Sequence, residues 1–150
     1  MKLIILGEPA GKGRPKARNA GKFIQIYTPK ETTHYESKVV HEYKSNYDGM
    51  QFNVNSELYV TIKAYFQIPK GHYRFHKKTN TLDLDGSGKM MLEGLVRPKK
   101  KPDTDNIAKI CLDALNGIAY PDDSQVVELL VQKFYSEQPR VEIEIEEKQQ

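Results

Sequence analysis

"KPDTDNIAKICLDALNGIAYPDDSQVVELLVQKFYS", residues 101–136, decides how the chain is organised. At 100° per residue, Ile107, Ile110, Cys111, Ala114 and Leu115 recur at i, i+3, i+4, i+7 and i+8. That spacing predicts a helix over Thr104–Leu115 with one face in a core. Asp105, Lys109, Asp113 and Asn116 gather on the opposite face, and Asn116-Gly117 suits the helix end. A strand is expected from "SQVVELLVQKFYS", so a helix, a polar turn and a strand follow one another directly.

Working outward, "RVEIEIEE" (140–147) alternates with period two and predicts a strand pairing antiparallel with the preceding one around Glu137-Gln138-Pro139. "SELYVTIKAYFQIP" (56–69) alternates Leu58, Val60, Ile62, Ala64 and Phe66 with polar or aromatic neighbours, a long strand that Pro69 ends. Upstream, Thr-Pro opens a helix from about Lys30 to Tyr47, with Tyr35, Val39, Val40 and Tyr43 on one face. "KLIILG" reads as a short strand buried on both faces. "EPAGKGRPKARNAGKF" is too rich in Gly, Pro and charge for a regular element and is expected to be a basic loop. Residues 70–100 are expected to form one long flexible loop. The expectation is a single α/β domain (α+β mixed) over 1–150: a mixed sheet of about four strands with two main helices packed on it.

Composition sets bounds on this reading. A chain of 150 residues suits one domain, and 38% apolar with 29% charged residues describes an ordinary water-facing surface. The formal net charge of +3 decides little. Its distribution says more, because Lys and Arg crowd into 12–18, 70–78 and 97–101. The single cysteine, Cys111, lies on the core face, which fits a reduced thiol and a cytoplasmic setting. The N-terminal apolar run is far too short for a signal segment or a membrane span.

Five aspartates fall within 101–126. One reading is structural, with Asp105 or Thr104 capping the helix, Asp103 and the Asp122-Asp123 pair in polar turns, and Lys109 in a surface pair with Asp105. The other lets Asp103, Asp105 and one of Asp122 and Asp123 converge, the helix packing beside the strand. Converging carboxylates repel unless a cation lies between them, and hard oxygen ligands suit Mg²⁺ or Mn²⁺. Such a site serves phosphodiester hydrolysis, with Lys109 placed to neutralise charge at phosphorus. Lys12, Arg14, Lys16 and Arg18, together with Arg97, Lys99, Lys100 and Lys101, would then hold a DNA backbone.

Other motifs fail. "DLDGSGKMMLEG" has Gly94 where a calcium loop needs a bidentate Glu, and "GEPAGKGR" lacks the spacing and Ser or Thr of a P-loop. His34 and His41 share a helix face, and His72 and His76 lack the Glu of a zincin.

"GRPKAR", "KPDTDNIAKICLDALNGIAYPDDSQV" and the closing strands together resemble RusA-type Holliday-junction resolvases over nearly the whole chain, least so over 70–100. The resemblance implies a homodimer that uses Mg²⁺ to cut two opposing strands of a four-way DNA junction, in recombination and repair. It implies catalytic roles for Asp103, Asp105, Asp123 and Lys109, with Asp122 as neighbour or substitute ligand, and DNA contacts from Arg14, Lys16 and Arg18. It implies no small-molecule cofactor and no membrane partner. The competing reading is an inactive prophage-derived protein that binds junction or duplex DNA without cutting it.

Overall fold

The computed structural model describes residues 1–148. Its centre is β4, Leu58–Gln67, whose alternation is complete. Leu58, Val60, Ile62, Ala64 and Phe66 are buried, while Tyr59, Thr61, Lys63, Tyr65 and Gln67 stand half-exposed on the other face. β1 (Lys2–Leu6), β7 (Val126–Ser136) and β8 (Arg140–Glu147) complete a sheet in the order β1-β8-β4-β7. α1 (Lys30–Tyr47) and α3 (Thr104–Leu115) cover one face, α1 contributing Thr32, Tyr35, Val39 and Tyr43 to the core. From α3, Ile107, Ile110, Cys111, Ala114 and Leu115 are buried as their spacing predicts. Truncating one of the larger of these, such as Ile110 to Ala, costs about 2–5 kcal/mol.

β7 and β8 are not partners, contrary to the hairpin expected around residues 137–139. β7 pairs parallel with β4, and β8 lies between β4 and β1, antiparallel to both. The chain crosses the end of β4, where Ile68 N–H donates to Ser136 and Gly7 N–H to Pro139. The position of β8 explains this, since Val141, Ile143 and Ile145 are buried, whereas Val127, Leu129 and Leu130 of β7 stay exposed. β1 is an edge strand with one buried face, its Ile4 and Leu6 facing solvent, so its unbroken apolar run misled.

Both segments expected to be loops contain regular structure. β2 (Lys16–Asn19) and β3 (Ile24–Tyr27) form an exposed antiparallel hairpin. Residues 70–100 hold a second hairpin, β5 (Tyr73–His76) with β6 (Thr81–Leu84), and a third helix, α2 (Gly86–Leu92). These strands are four residues long, too short to show a period.

α3 is the crossover between the parallel strands β4 and β7, so it begins at their carboxyl ends and closes at their amino ends. At the carboxyl end Lys133 Nζ donates to Lys100 O (2.5 Å) and Pro102 O (2.9 Å). At the amino end Gln125 Nε2 donates to Asn53 O (2.7 Å) and Ser56 O (3.2 Å). Open α/β sheets place their ligands outside the carboxyl ends of such strands.

Candidate functional site

Asp103 is the N-cap residue of α3, yet its carboxylate accepts no capping hydrogen bond. The N-cap position thus falls to Asp103 and not to Asp105 or Thr104, while the Asp103 side chain stays exposed, as expected of a turn residue. Asp103 and Asp105 are both exposed at a helix start, where free N–H groups and the helix dipole favour negative charge. Lys109 follows one turn later, also exposed, and among the described residues it enters none of the ion pairs. The Asp105-Lys109 surface pair does not form.

The N-terminal loop closes over this helix start. Lys12 N–H donates to Asn106 O at 2.9 Å, and a Cβ on Gly11 would lie 2.7 Å from Pro102 Cβ. On the other side a Cβ on Gly13 would lie 2.7 Å from Thr32 Oγ1, which accepts from Gly13 N–H. Glycine is required at 11 by this close approach, and it lets the loop wedge between the starts of α1 and α3. Gly11, Arg14, Lys101, Asp103 and Asn106 then line an open cleft of about 570 Å³.

The cations around it divide in function. Lys12 turns inward, its ammonium pairing with Glu36 at 2.5 Å and Asp113 at 2.8 Å, which makes it a brace between α1 and α3. Burial opposes its charge, but the hydrogen bonds to Asp113 and Glu36 outweigh that and raise its pKa. Asp113 is therefore not a free surface residue. Arg97 lies over the Phe134 ring at 3.7 Å and donates to the carbonyls of Gly94 and Lys133. Arg14, Lys16, Arg18, Lys99, Lys100 and Lys101 remain exposed. Arg18 also donates to Gln25 Oε1 at 2.8 Å, which aligns it along the hairpin.

Asp122 and Asp123 differ sharply. Asp122 caps the short 3-10 turn Asp123–Gln125, accepting from Ser124 N–H at 2.8 Å while Gln125 reaches back to its own N–H. Hydrogen bonds from the Ser124 hydroxyl and N–H hold its carboxyl below the usual range. Asp123 is exposed and has no such duty. It lies near the buried Tyr120, whose hydroxyl donates to Leu112 O at 3.0 Å. Burial, then the Asp123 charge, pushes that phenol's pKa up.

Within one chain the acids do not converge. Asp103 and Asp105 stand at the carboxyl ends of β4 and β7, and Asp123 at their amino ends, separated by the twelve residues of α3. At 1.5 Å per residue that is roughly 18 Å. Among the described residues no group of three Asp, Glu, His or Cys side chains is arranged to hold a metal ion. This includes His34 and His41, which line a separate groove of about 620 Å³ beside β1. The turn after α3 does reverse the chain, but the helix is too long to return Asp123 to Asp103.

Sequence reasoning passed over Lys133 and Asn106. Lys133 holds the segment before Asp103 by its carbonyls, and Asn106 lines the cleft. The signal for Lys133 is its register, because it pairs with buried Ala64 on the helix-covered face, where an apolar residue belongs.

Among the described residues no helix is long and apolar enough to cross a membrane. The chain matches the family described as endodeoxyribonuclease RusA over residues 7–146. It is 33% identical over 147 residues to the uncharacterized protein YqaN of Bacillus subtilis (strain 168), covering 98% of this chain and 96% of that one. With the PDxDN helix start, the second Asp pair and the basic N-terminal segment all in place, the chain belongs to the RusA endodeoxyribonuclease family.

Proposed function

We propose that the protein is a Mg²⁺-dependent, structure-selective endodeoxyribonuclease that resolves four-way junctions by paired strand cleavage, as a homodimer in the cytoplasm during recombination and repair. The observation that carries this is the pair of exposed carboxylates at the start of α3, unused by capping, of which Asp103 lines a cleft with Arg14 and Lys101. Arg14, Lys16, Arg18 and Lys99–Lys101 hold the phosphodiester backbone as point charges and forks.

The donor set fits a hard divalent cation: Asp103 and Asp105 offer carboxylate oxygens unused by capping, and Mg²⁺ commonly takes one or two protein carboxylates and keeps its waters. Bound there, Mg²⁺ or Mn²⁺ would supply Lewis-acid activation at one phosphate. Lys109 places a positive charge one turn from Asp105 to offset charge that develops at phosphorus.

The length of α3 supports the homodimer. If Asp123 is the third acid, it must come from a second copy. The edges of the sheet differ accordingly. On β1 the Tyr47 hydroxyl bonds both Lys2 N–H and C=O, and Lys38 takes Leu6 O at 2.6 Å, which blocks strand addition. β7 is open before Lys133 and exposes Val127, Leu129 and Leu130. Two-fold antiparallel pairing of β7 about Leu129 brings the partner's Asp123 level with Tyr135, the end at which Asp103 stands.

The test is cleavage of a labelled four-way junction and a matched duplex with Mg²⁺, with EDTA and with Asp105→Asn. Metal-dependent paired cuts in the junction, lost in the variant, are expected. An intact junction with Mg²⁺ and with Mn²⁺ would refute the reading and favour binding without catalysis.

A further inference from the structure

Resting on that reading of the substrate, we propose that the β5–β6 hairpin is a second DNA contact, which inserts Phe75 and Leu82 against an unstacked base at the branch point. The hairpin leaves the sheet directly after β4, at the end where α3 begins. Its strands pair Tyr73 with Leu84 and Phe75 with Leu82, so one face is apolar from root to tip. At the root this face is covered: Leu84 is buried, and the Tyr73 hydroxyl accepts from Gln67 Nε2 at 3.2 Å. Two residues further out it is bare, with Phe75 59% and Leu82 63% exposed. An aromatic and a leucine directly opposite one another with nothing over them mark a contact surface.

The charge says what the surface meets. From Lys70 to Leu82 the sequence has no acidic residue, and Lys70, Arg74, Lys77 and Lys78 stand among its thirteen positions. Lys77 and Lys78 form the turn and, among the described residues, enter no ion pair. A planar apolar side chain beside free cations suits a nucleic-acid base with its phosphate, because every base offers a π-face and every phosphate a charge. Apolar wedges inserted between base steps unstack them, which costs least where stacking is already broken, as at a branch.

The hairpin is also held in place. Asp85 caps α2 by accepting from Gly88 N–H at 2.8 Å and meets His72 Nδ1 at 3.1 Å and Arg74 Nη2 at 3.4 Å. A Cβ on Gly88 would lie 3.1 Å from both His72 Cβ and Leu84 Cδ2, so α2 packs directly on the hairpin root. α2 in turn leads to Arg97, fixed over Phe134 of β7. The tip is therefore positioned relative to the site.

The experiment uses full-length protein in EDTA with a four-way junction carrying 2-aminopurine at the branch, and a linear duplex of the same sequence. Wild type should raise the fluorescence. Phe75→Ala/Leu82→Ala should abolish the rise and weaken junction binding about tenfold, with duplex binding unchanged, as expected for one lost base stack. Phe75→Tyr should restore the response. Lys77→Ala/Lys78→Ala should keep the rise but flatten the salt slope on both DNAs by about two. Because Phe75 and Leu82 are exposed, the melting temperature should not move, and it is measured alongside. An unchanged rise in Phe75→Ala/Leu82→Ala, or parallel loss on duplex and junction, would overturn the proposal. If wild type cuts junctions while this variant opens them normally, the hairpin proposal fails and the nuclease reading stands. If wild type opens the branch through the hairpin but never cuts, the reverse holds.

Discussion

Gly11→Ala tests whether the basic loop is seated on α3 as the structure describes. The added Cβ would meet Pro102 Cβ at 2.7 Å and Asn106 Cβ at 3.0 Å, where carbon atoms settle at about 3.5–4.0 Å. The loop must therefore retreat by about 1 Å, and neither contact is the far end of a flexible side chain. Overpacking of this kind costs about 1–3 kcal/mol, which for a domain of this size lowers the melting temperature by about 2–12 °C. The retreat should also stretch the 2.9 Å bond from Lys12 N–H to Asn106 O, so that this amide exchanges faster. Thermal unfolding and hydrogen exchange read the two effects separately. Gly71→Ala is the control, since a Cβ there meets nothing within 4 Å, and its melting temperature should stay level or rise slightly. A Gly11→Ala protein that melts with wild type and still protects the Lys12 amide would refute the packing argument.

Asp103→Asn, Asp105→Asn or Asp123→Asn should reduce junction cleavage by more than about hundredfold, with junction binding equal or tighter, because one negative charge near phosphate is removed. Parallel loss of binding would mean that these acids support the fold. Mixed Asp105→Asn and Asp123→Asn subunits should regain about a quarter of wild-type nicking, since half the random dimers carry one complete site, whereas sites built within one chain would regain none. Lys16→Ala or Arg18→Ala should flatten the salt slope of DNA binding by about one, while Lys12→Ala should lower the melting temperature, its ammonium being paired with Glu36 and Asp113. Cys111, whose thiol burial pushes up to about 12, should resist alkylation at pH 8 in the folded protein and react on unfolding; prompt native-state alkylation would contradict its buried placement.

What was legible in the sequence follows from how each element is held. α1, β4, α3 and β8 bury one side against a shared core, and a one-sided burial writes a period into ten or more residues, or into eight for β8. β7 was legible as a strand but not in its pairing, because its exposed Val127, Leu129 and Leu130 look like core residues in sequence. Both hairpins and α2 were missed, being short and projecting from the core, so neither period nor composition distinguishes them from loops. For the candidate site, residue types and spacing singled out the acids and cations whose exposure and partners the structure then gives. The separation of Asp103 from Asp123 was hidden, although the predicted helix length already implied it. Asp122 and Asp123 could not be told apart in sequence, since only the hydrogen bonds of the turn make one a cap.

That separation has an energetic logic under the proposed reading. Three carboxylates gathered in one unliganded chain would raise one another's pKa and oppose folding until a cation arrived. A twelve-residue helix between them lets each subunit fold with its acids apart. Asp103 and Asp105 lie in the favourable field of a helix start, and Asp123 opens the short turn that Asp122 caps. The like-charge cost would then fall on assembly, when a partner and a divalent cation arrive together. Metal affinity and dimer affinity would accordingly be coupled, each rising with the other by the same factor. A metal affinity independent of protein concentration across the dimerisation range would argue for sites held within single chains.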